Sequence, residues 1–400
     1  MEGKNFVITS LQTWELGLGT TIRNFTLEIS KKNRVVYVNT PIDHATWLRC
    51  LLKGKHDRRM DVVRGKSSPI RKINENLWIV DLPIVAYSIN KIPSSALFDA
   101  MNKVNSRRSS KWILHFLKEL GFDDFTLFMD TDIYRSQYYK EMLKPDLSSY
   151  YRRDYIIGVP YWKKHGSRME PLLAAKSDMV MGNSRLFCEE LEQYNSKVHL
   201  LETGVNLDLY DGSKTYEVPA DVVQVPKPIV GYVGSIYSLR LDEPLLCKVA
   251  ELRPEYSFVF TGPVDDTFRD SSLHSMKNVF FTGSKNLEEL PAYVAFFDVC
   301  INPQKVNDIT IGNYPLKIDE YLAMGKPTVA TDTHIMRDVF SEQVHLAQDV
   351  ESYLKLIDLA VKESSDPKLK ATRIKYALTH SWENRANDLY QFIENYKQSK

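Results

Sequence analysis

Five short apolar runs in the second half of the chain constrain its fold more than any other feature: 229–233, 257–261, 279–282, 298–302 and 327–330. Each is of strand length, nearly uninterrupted and rich in β-branched or aromatic residues. That is the mark of a strand covered on both faces rather than of a half-solvated one. Stretches of helical length lie between them, with helices expected at about 242–251, 287–296 and 317–324. Strands covered on both faces and separated by helices predict a parallel sheet with helices packed over it. The first half repeats the rhythm. A strand at 6–9 leads through a loop with Gly17 and Gly19 into a helix at about 21–31 and a second strand at 35–38. Further strands are expected at 77–82, 125–129, 155–159 and 179–181, with helices at about 107–120 and 184–194. The predicted class is α/β, with two Rossmann-like domains.

A chain of 400 residues is too long for one growing core and fits two domains of roughly 200 residues. The stretch 212–227, with Pro219 and Pro226 and followed by Pro228, predicts a linker. The expected division is 1–210, 211–380 and a terminal helix at 381–400. Ser381 can cap that helix, and Trp382, Ala386, Leu389, Ile393 and Tyr396 give it one apolar face, which must dock, for instance on the first domain. Two such sheets are expected to face each other across a cleft, with ligands beyond the carboxyl ends of the strands. A formal net charge of +1 gives no support to a nucleic-acid binder. The four cysteines form no CxxC pair, which argues against disulfides and a zinc site and predicts a reducing cytoplasm. Neither a signal-peptide pattern at the N-terminus nor a run of apolar residues long enough to span a bilayer is found in the sequence.

The window 302–332, NPQKVNDITIGNYPLKIDEYLAMGKPTVATD, is the most informative. A strand ends at Asn302, and a polar loop with Thr310, Gly312 and Asn313 leads into a helix beginning near Pro315 and Leu316. Lys317 and Glu320 sit on that helix and Gly325 follows its last turn. Free N–H groups at such a helix start suit a phosphate. Lys317 adds a point charge, and Glu320, three residues on, can accept hydrogen bonds from ribose or sugar hydroxyls. The alternative is a solvated Lys–Glu surface pair. A second loop, Gly231-Tyr232-Val233-Gly234 running on to Arg240, lets backbone approach a ligand and offers a guanidinium for a diphosphate. It lacks the GxGxxG spacing of a dinucleotide site.

In the first half, Asp130 and Asp132 follow a strand and can bind acceptor hydroxyls or orient a base, or Asp132 can cap the next helix. Arg152, Arg153 and Asp154 are either an acceptor-binding cluster or a solvated, salt-bridged edge. His115 is expected to be structural, and His165 to lie in a basic loop. From Thr46 to Lys72 there are nine basic residues and two acidic ones, interleaved with Leu51, Leu52, Met60, Val62 and Val63. A second basic stretch, 107–120, presents Trp112, Phe116 and Leu120. Both stretches suit an anionic membrane surface, or are ordinary helices with solvated charges.

The stretches 314–317 and 320–327, the Gly231–Gly234 loop with Arg240, and the terminal His380-Ser381-Trp382-Glu383-Asn384 resemble the nucleotide-sugar glycosyltransferases of GT-B architecture. The resemblance is to retaining family 4 and its bacterial cell-surface polysaccharide branch, including teichuronic acid glycosyltransferases. Gln12-Thr13-Trp14 with Gly17 and Gly19 resembles that branch's acceptor-side glycine loop. The resemblance implies a UDP- or GDP-sugar donor on the second domain, with Arg240 and Lys317 on the diphosphate and Glu320 on the ribose. Backbone from Thr282 through Gly283 to Lys285 would border the base, and Gly234, Thr310, Asn313, Pro315 and Leu316 complete the donor loops. It implies a glycan or lipid-linked glycan acceptor on the first domain, near Gly17, Gly19, Asp132 and Arg153. Neither a metal nor a tightly bound cofactor is implied. The family's motif carries two glutamates. Glu320 matches the second, while Gly312 stands where the first would be. That departure keeps open a non-catalytic nucleotide-sugar-binding partner, and an epimerase on the same scaffold is a further alternative.

Overall fold

The computed structural model describes residues 1–15, 20–307, 310 and 312–399. By internal contacts the chain forms two units, one of residues 1–202 with 386–400 and the other of residues 203–385.

The first unit holds eight strands: β1 Asn5–Ser10, β2 Arg34–Val38, β3 Ile70–Asn74, β4 Leu77–Val80, β5 Thr126–Asp130, β6 Leu147–Arg152, β7 Met179–Gly182 and β8 Val198–Leu200. Their order is β3-β4-β2-β1-β5-β6-β7-β8, and only the β3–β4 pair is antiparallel. The order reverses between β1 and β5, so the unit's topological switch point lies beyond Ser10 and Asp130. The second unit holds β9 Ile229–Val233, β10 Ser257–Thr261, β11 Val279–Gly283, β12 Val299–Asn302, β13 Thr328–Thr331 and β14 His345–Ala347. All pairs are parallel, in the order β11-β10-β9-β12-β13-β14. Here the switch point lies between β9 and β12. All residues of β9 and β10 are buried, as their unbroken apolar character requires. The sheet is covered on one side by a cluster with Ile318, Tyr321, Leu322 and Phe297, and on the other by one with Leu246, Val249, Tyr353 and Ile357.

Several expectations need correction. The strand expected at 155–159 is a 3-10 turn, Ile156–Gly158, leading into the helix Pro160–Lys176. The strand of that region is β6, LSSYYR, which is buried throughout despite its polarity. Its serines and tyrosines find partners: Ser148 Oγ donates to Asp178 at 2.7 Å, Ser149 Oγ to the Leu127 carbonyl at 3.2 Å, Tyr150 to Glu170 at 2.6 Å and Tyr151 to the Leu201 carbonyl at 3.0 Å. The helix expected at 107–120 is the end of a longer one, Ser95–Glu119, capped by Ser94. Pro315 stands just before the helix Leu316–Ala323 rather than inside it. The second unit begins at Thr203, not 211. Val205 N–H bonds the His380 carbonyl, and Tyr210 is buried in that unit's core. In the second unit the helices Val350–Glu363 and Pro367–Leu378 and the strand β14 are absent from the sequence-based expectation.

The last helix, Trp382–Gln398, contributes its residues from Ala386 onward to the first unit. There Asn33 Nδ2 donates to the Tyr390 hydroxyl at 2.9 Å, and the Tyr396 hydroxyl donates to Asp178 at 2.9 Å. No helix among the described residues is long and apolar enough to cross a membrane.

Candidate functional site

A cavity of about 430 Å³ opens at the carboxyl ends of β9 and β12, at the switch point of the second unit. From the β9 side it is lined by Tyr232, Ser235, Tyr237, Arg240 and Leu241. From the β12 side come Asn302, Gln304, Thr310, Asn313, Tyr314, Pro315 and Lys317. Arg240 and Lys317, 77 residues apart in sequence, thus converge on one space. Neither makes an ion pair with a carboxylate among the described residues. Lys317 Nζ rests 4.8 Å from the centre of the Tyr232 ring, a contact that holds an ammonium without neutralising it. The helix Leu316–Ala323 starts at the cavity wall, and Pro315 offers no side chain to cap its first N–H groups. Two open cations and an uncapped helix start make this a place for an anion.

The glycines of the first loop divide in purpose. A Cβ on Gly231 would fall 2.0 Å from the Phe297 ring, so that glycine answers to core packing rather than to a ligand. Gly234 adopts φ +137°, and a Cβ there would press on Lys317 Cε at 3.1 Å. Its carbonyl is backed by Gly262 so closely that a Cβ on Gly262 would lie 1.9 Å from the Gly234 oxygen. Gly234 N–H donates to the Thr261 carbonyl at 2.9 Å, which fixes the loop beside Lys317.

Thr310 and Asn313 both line the cavity but are not equally available. The Thr310 hydroxyl donates to the Lys305 carbonyl in a short bond and accepts from Asn307 N–H at 3.1 Å, so it closes its own loop. Asn313 is 6% exposed, and its Oδ1 has no hydrogen-bond partner among the described residues. A buried amide oxygen without a partner is costly unless a ligand supplies a donor. Gly312 is buried in the adjoining turn and does not line the cavity.

Glu320 lies one turn beyond Lys317 and is not part of the cavity wall. It is half-buried and accepts a hydrogen bond from the buried Tyr210 hydroxyl. Burial pushes its carboxyl up to about 7, against the opposing pull of Lys317 and Tyr210. Behind the wall, the Tyr314 hydroxyl donates to Asp319 at 2.7 Å, and Asp319 is held on its other oxygen by His380 Nδ1 at 2.7 Å. Asp319 is fully buried, so the pair fixes the Tyr314 ring from within.

Other expected positions fall elsewhere. Thr282 and Gly283 end β11, two strands away from β9, and do not line the cavity. Thr282 Oγ1 donates to Thr261 Oγ1 at 2.9 Å, and Gly283 accepts from Gly262 N–H at 2.9 Å. Lys285 is paired with Asp221 at 2.7 Å beside a separate cavity of about 550 Å³. Leu316 is half-buried outside the lining.

In the first unit, Gly17 and Gly19 lie outside the described residues. Asp130 is fully buried rather than presented to solvent, because a carboxylate at a central strand end must be compensated. Arg153 Nε and Nη2 donate to its two oxygens at 3.0 and 3.2 Å, and Ser10 Oγ donates at 2.6 Å. Asp132 accepts from Arg135 N–H at 3.1 Å, which is the capping alternative, and pairs with the Arg135 guanidinium. The residue between them, Thr131, is left-handed at φ +58°. Arg152 and Arg153 are buried, so neither forms a solvated edge. Arg152 pairs with Glu190 at 2.8 Å and stacks over Phe187. His165 is not in a loop: it is buried in the helix Pro160–Lys176, stacked on Phe98 and bonded to the Ile92 carbonyl.

Seven cavity residues had no assigned role: Tyr232, Ser235, Tyr237, Leu241, Asn302, Gln304 and Tyr314. Most sit in or just after strands, where tyrosine and leucine read as core. Only their position at two strand ends that share the switch point distinguishes them.

Residues 227–362 match the family described as glycosyl transferases group 1. Over 216 residues the chain is 28% identical to a protein of Bacillus subtilis assigned as a teichuronic acid biosynthesis glycosyltransferase, a match covering 52% of each chain. It thus spans about half the length of that relative. Among solved structures, a sucrose-phosphate synthase from Thermosynechococcus elongatus superposes with a TM-score of 0.68 at 15% identity, over 99% of this chain and 100% of the other. Anabaena HepE, solved with UDP, superposes at 0.64 and 11% identity, over 98% and 100%. The OtsA apo structure does so at 0.66 and 11%, over 98% and 99%. At these identities the likeness is one of fold, the two-unit α/β fold called GT-B.

Proposed function

We propose that this chain, whose second unit carries a glycosyl transferases group 1 domain in a GT-B fold, moves a sugar from a UDP- or GDP-sugar onto a glycan or lipid-linked glycan in cell-surface polysaccharide synthesis. The observation that carries the reading is the pair of open cations, Arg240 and Lys317, in the cavity at the β9–β12 switch point. A diphosphate placed there meets two positive side chains and the uncapped start of the helix Leu316–Ala323. The same groups stabilise the charge that grows on the diphosphate as the sugar departs, the office that a metal serves in other diphosphate sites. Asn313 Oδ1 takes a hydroxyl of the transferred sugar in place of the glutamate missing at Gly312, and Glu320 takes the ribose. With retention, the acceptor attacks on the face that the nucleotide leaves, and a leaving phosphate oxygen accepts its proton, so no dedicated base is required. A lipid-linked acceptor would set the reaction at the cytoplasmic face of the cell membrane.

Gly312 favours a second reading, a partner subunit that binds a nucleotide sugar without turning it over. The deciding experiment is a binding screen of UDP-, GDP-, ADP-, CMP- and dTDP-sugars, followed by a hydrolysis assay on any donor that binds. Selective binding with slow hydrolysis supports the transferase, binding without hydrolysis the partner subunit. No binding by a folded protein overturns both.

A further inference from the structure

The helix His44–Leu52 is built inside out. None of its nine residues is buried, and all three of its leucines are exposed. Leu48, Leu51 and Leu52 are 56%, 52% and 79% exposed. Their spacing of three and four residues puts them on one face. A surface helix ordinarily turns such a face to the core, and here the half-buried positions are Thr46, Trp47 and Cys50. The charges around it are as one-sided. Arg49, Lys53, Lys55, Arg64 and Lys66 are exposed and form no ion pair with a carboxylate among the described residues. Both acids of the segment are spent, Asp57 on Arg59 at 2.6 Å and Asp61 on His56 at 2.7 Å. Arg64 also lies over the Trp47 ring, 5.0 Å from its centre.

The second basic stretch of the sequence does not share this arrangement. On the helix Ser95–Glu119, Phe116 is buried, and Trp112 and Leu120 pack against the core, so that aromatic face points inward.

We propose that the outward face of His44–Leu52, with the basic turn that follows it to Lys66, docks on an anionic lipid surface. Leu48, Leu51 and Leu52 enter the headgroup–acyl boundary while the unpaired cations meet lipid phosphates. A second copy of the chain is the less suitable occupant. A two-fold contact would set this cationic rim against its like, and three leucines on a nine-residue helix fall far short of the roughly 800 Å² per partner that stable dimers bury. The inference deepens the proposed function by naming the surface that would bring the enzyme to a lipid-linked acceptor. It stands or falls without donor or acceptor present.

The test is co-sedimentation of the full chain with vesicles of phosphatidylcholine alone or of phosphatidylcholine with phosphatidylglycerol, with no sugar nucleotide added. The wild type is expected on the phosphatidylglycerol vesicles only, and to be released by salt. Each cation removed near the surface weakens binding about fivefold, so K53Q with K55Q costs roughly 25-fold. The variant L48Q/L51Q/L52Q loses at least about tenfold. Because these side chains are exposed, both variants should keep the wild-type thermal midpoint, which is measured alongside. Equal binding to both vesicle types, binding to neither, or a folded leucine variant that binds like the wild type would overturn the proposal. So would a concentration-dependent dimer that the leucine variant abolishes while wild-type vesicle binding is absent. Any of these leaves the nucleotide-sugar screen free to succeed.

Discussion

Replacing Glu320 with Gln should make the protein more stable at pH 8 and hardly change it at pH 5. Burial holds the folded-state carboxyl at about 7, above its ordinary 4.5, so between those values the folded chain keeps a proton that the unfolded chain has lost. Stability therefore falls as pH rises from about 4.5 to about 7 and is flat on either side. At 1.36 kcal/mol per tenfold change in proton affinity, the rise from 4.5 to about 7 makes the ionised Glu320 cost the wild type roughly 3 kcal/mol at pH 8 and under about 1 kcal/mol at pH 5. Gln is isosteric, and its amide oxygen can still accept the Tyr210 hydrogen bond. The assay is urea unfolding of wild type and variant from pH 5 to pH 8, the quantity read being the difference between them, which cancels every other titrating group. A gap that opens toward high pH supports the burial argument. A gap that does not change with pH, or a variant less stable at pH 8, would refute it. The functional side has the opposite sign. A carboxylate accepts a ribose hydroxyl more strongly than a neutral carboxyl or an amide does, so donor affinity should rise with pH through about 7 in the wild type and lose that rise in the variant. A stabilising change that costs donor affinity is the pattern of a group kept for binding.

The remaining expectations concern the cavity. Lys317→Ala should weaken UDP binding roughly 10- to 150-fold, the worth of one charge-assisted hydrogen bond, by calorimetry on a protein with unchanged thermal midpoint; unaltered binding removes Lys317 from the diphosphate. Asn313→Ala should leave UDP affinity alone and lower kcat/KM for the full donor about 2- to 15-fold, since one neutral hydrogen bond to the sugar is lost; an equal loss for UDP would place Asn313 on the nucleotide instead. Gly262→Ala puts a methyl 1.9 Å from the Gly234 carbonyl, and both the thermal midpoint and UDP binding should drop as the loop is displaced; a variant with normal binding would show that the loop yields.

Five of the six strands of the second sheet are legible in the sequence because their side chains are largely apolar; β14, a half-exposed edge strand, is not. At 229–233 and 257–261 the expected and observed strands coincide. The first sheet hides more. β6 carries two serines, two tyrosines and an arginine and is nonetheless buried throughout, because Asp178, Glu170 and the Leu201 carbonyl, all distant in sequence, take its hydroxyls and Glu190 pairs with Arg152. A periodicity count sees only the polarity and moves the strand onward to the apolar 155–159, where Pro160 in fact opens a helix. β3 is missed for the opposite reason: it is an edge strand whose residues are half-exposed or exposed, so burial never imposed a pattern on it.

The candidate site divides along the same line. Arg240, Thr310, Asn313, Pro315 and Lys317 were legible as a group because they follow the ends of two strands, and the sheet order makes those strands neighbours. Which of them is left free for a ligand was not legible, since that depends on bonds a few residues long that spacing cannot weigh. The Thr310 hydroxyl could bond the Lys305 carbonyl or a sugar; the loop takes it, and Asn313 is left with the unpartnered oxygen. Asp130 shows the same effect at longer range. Its position at a strand end marks it for a ligand, but the carboxylate lies in the centre of an eight-stranded sheet, and Arg153 from the neighbouring strand end neutralises it. A polar residue at a switch point is therefore evidence of a site only when its own partners leave it incomplete. By that criterion the second unit offers Lys317, Arg240 and Asn313, while Asp130 in the first is already satisfied.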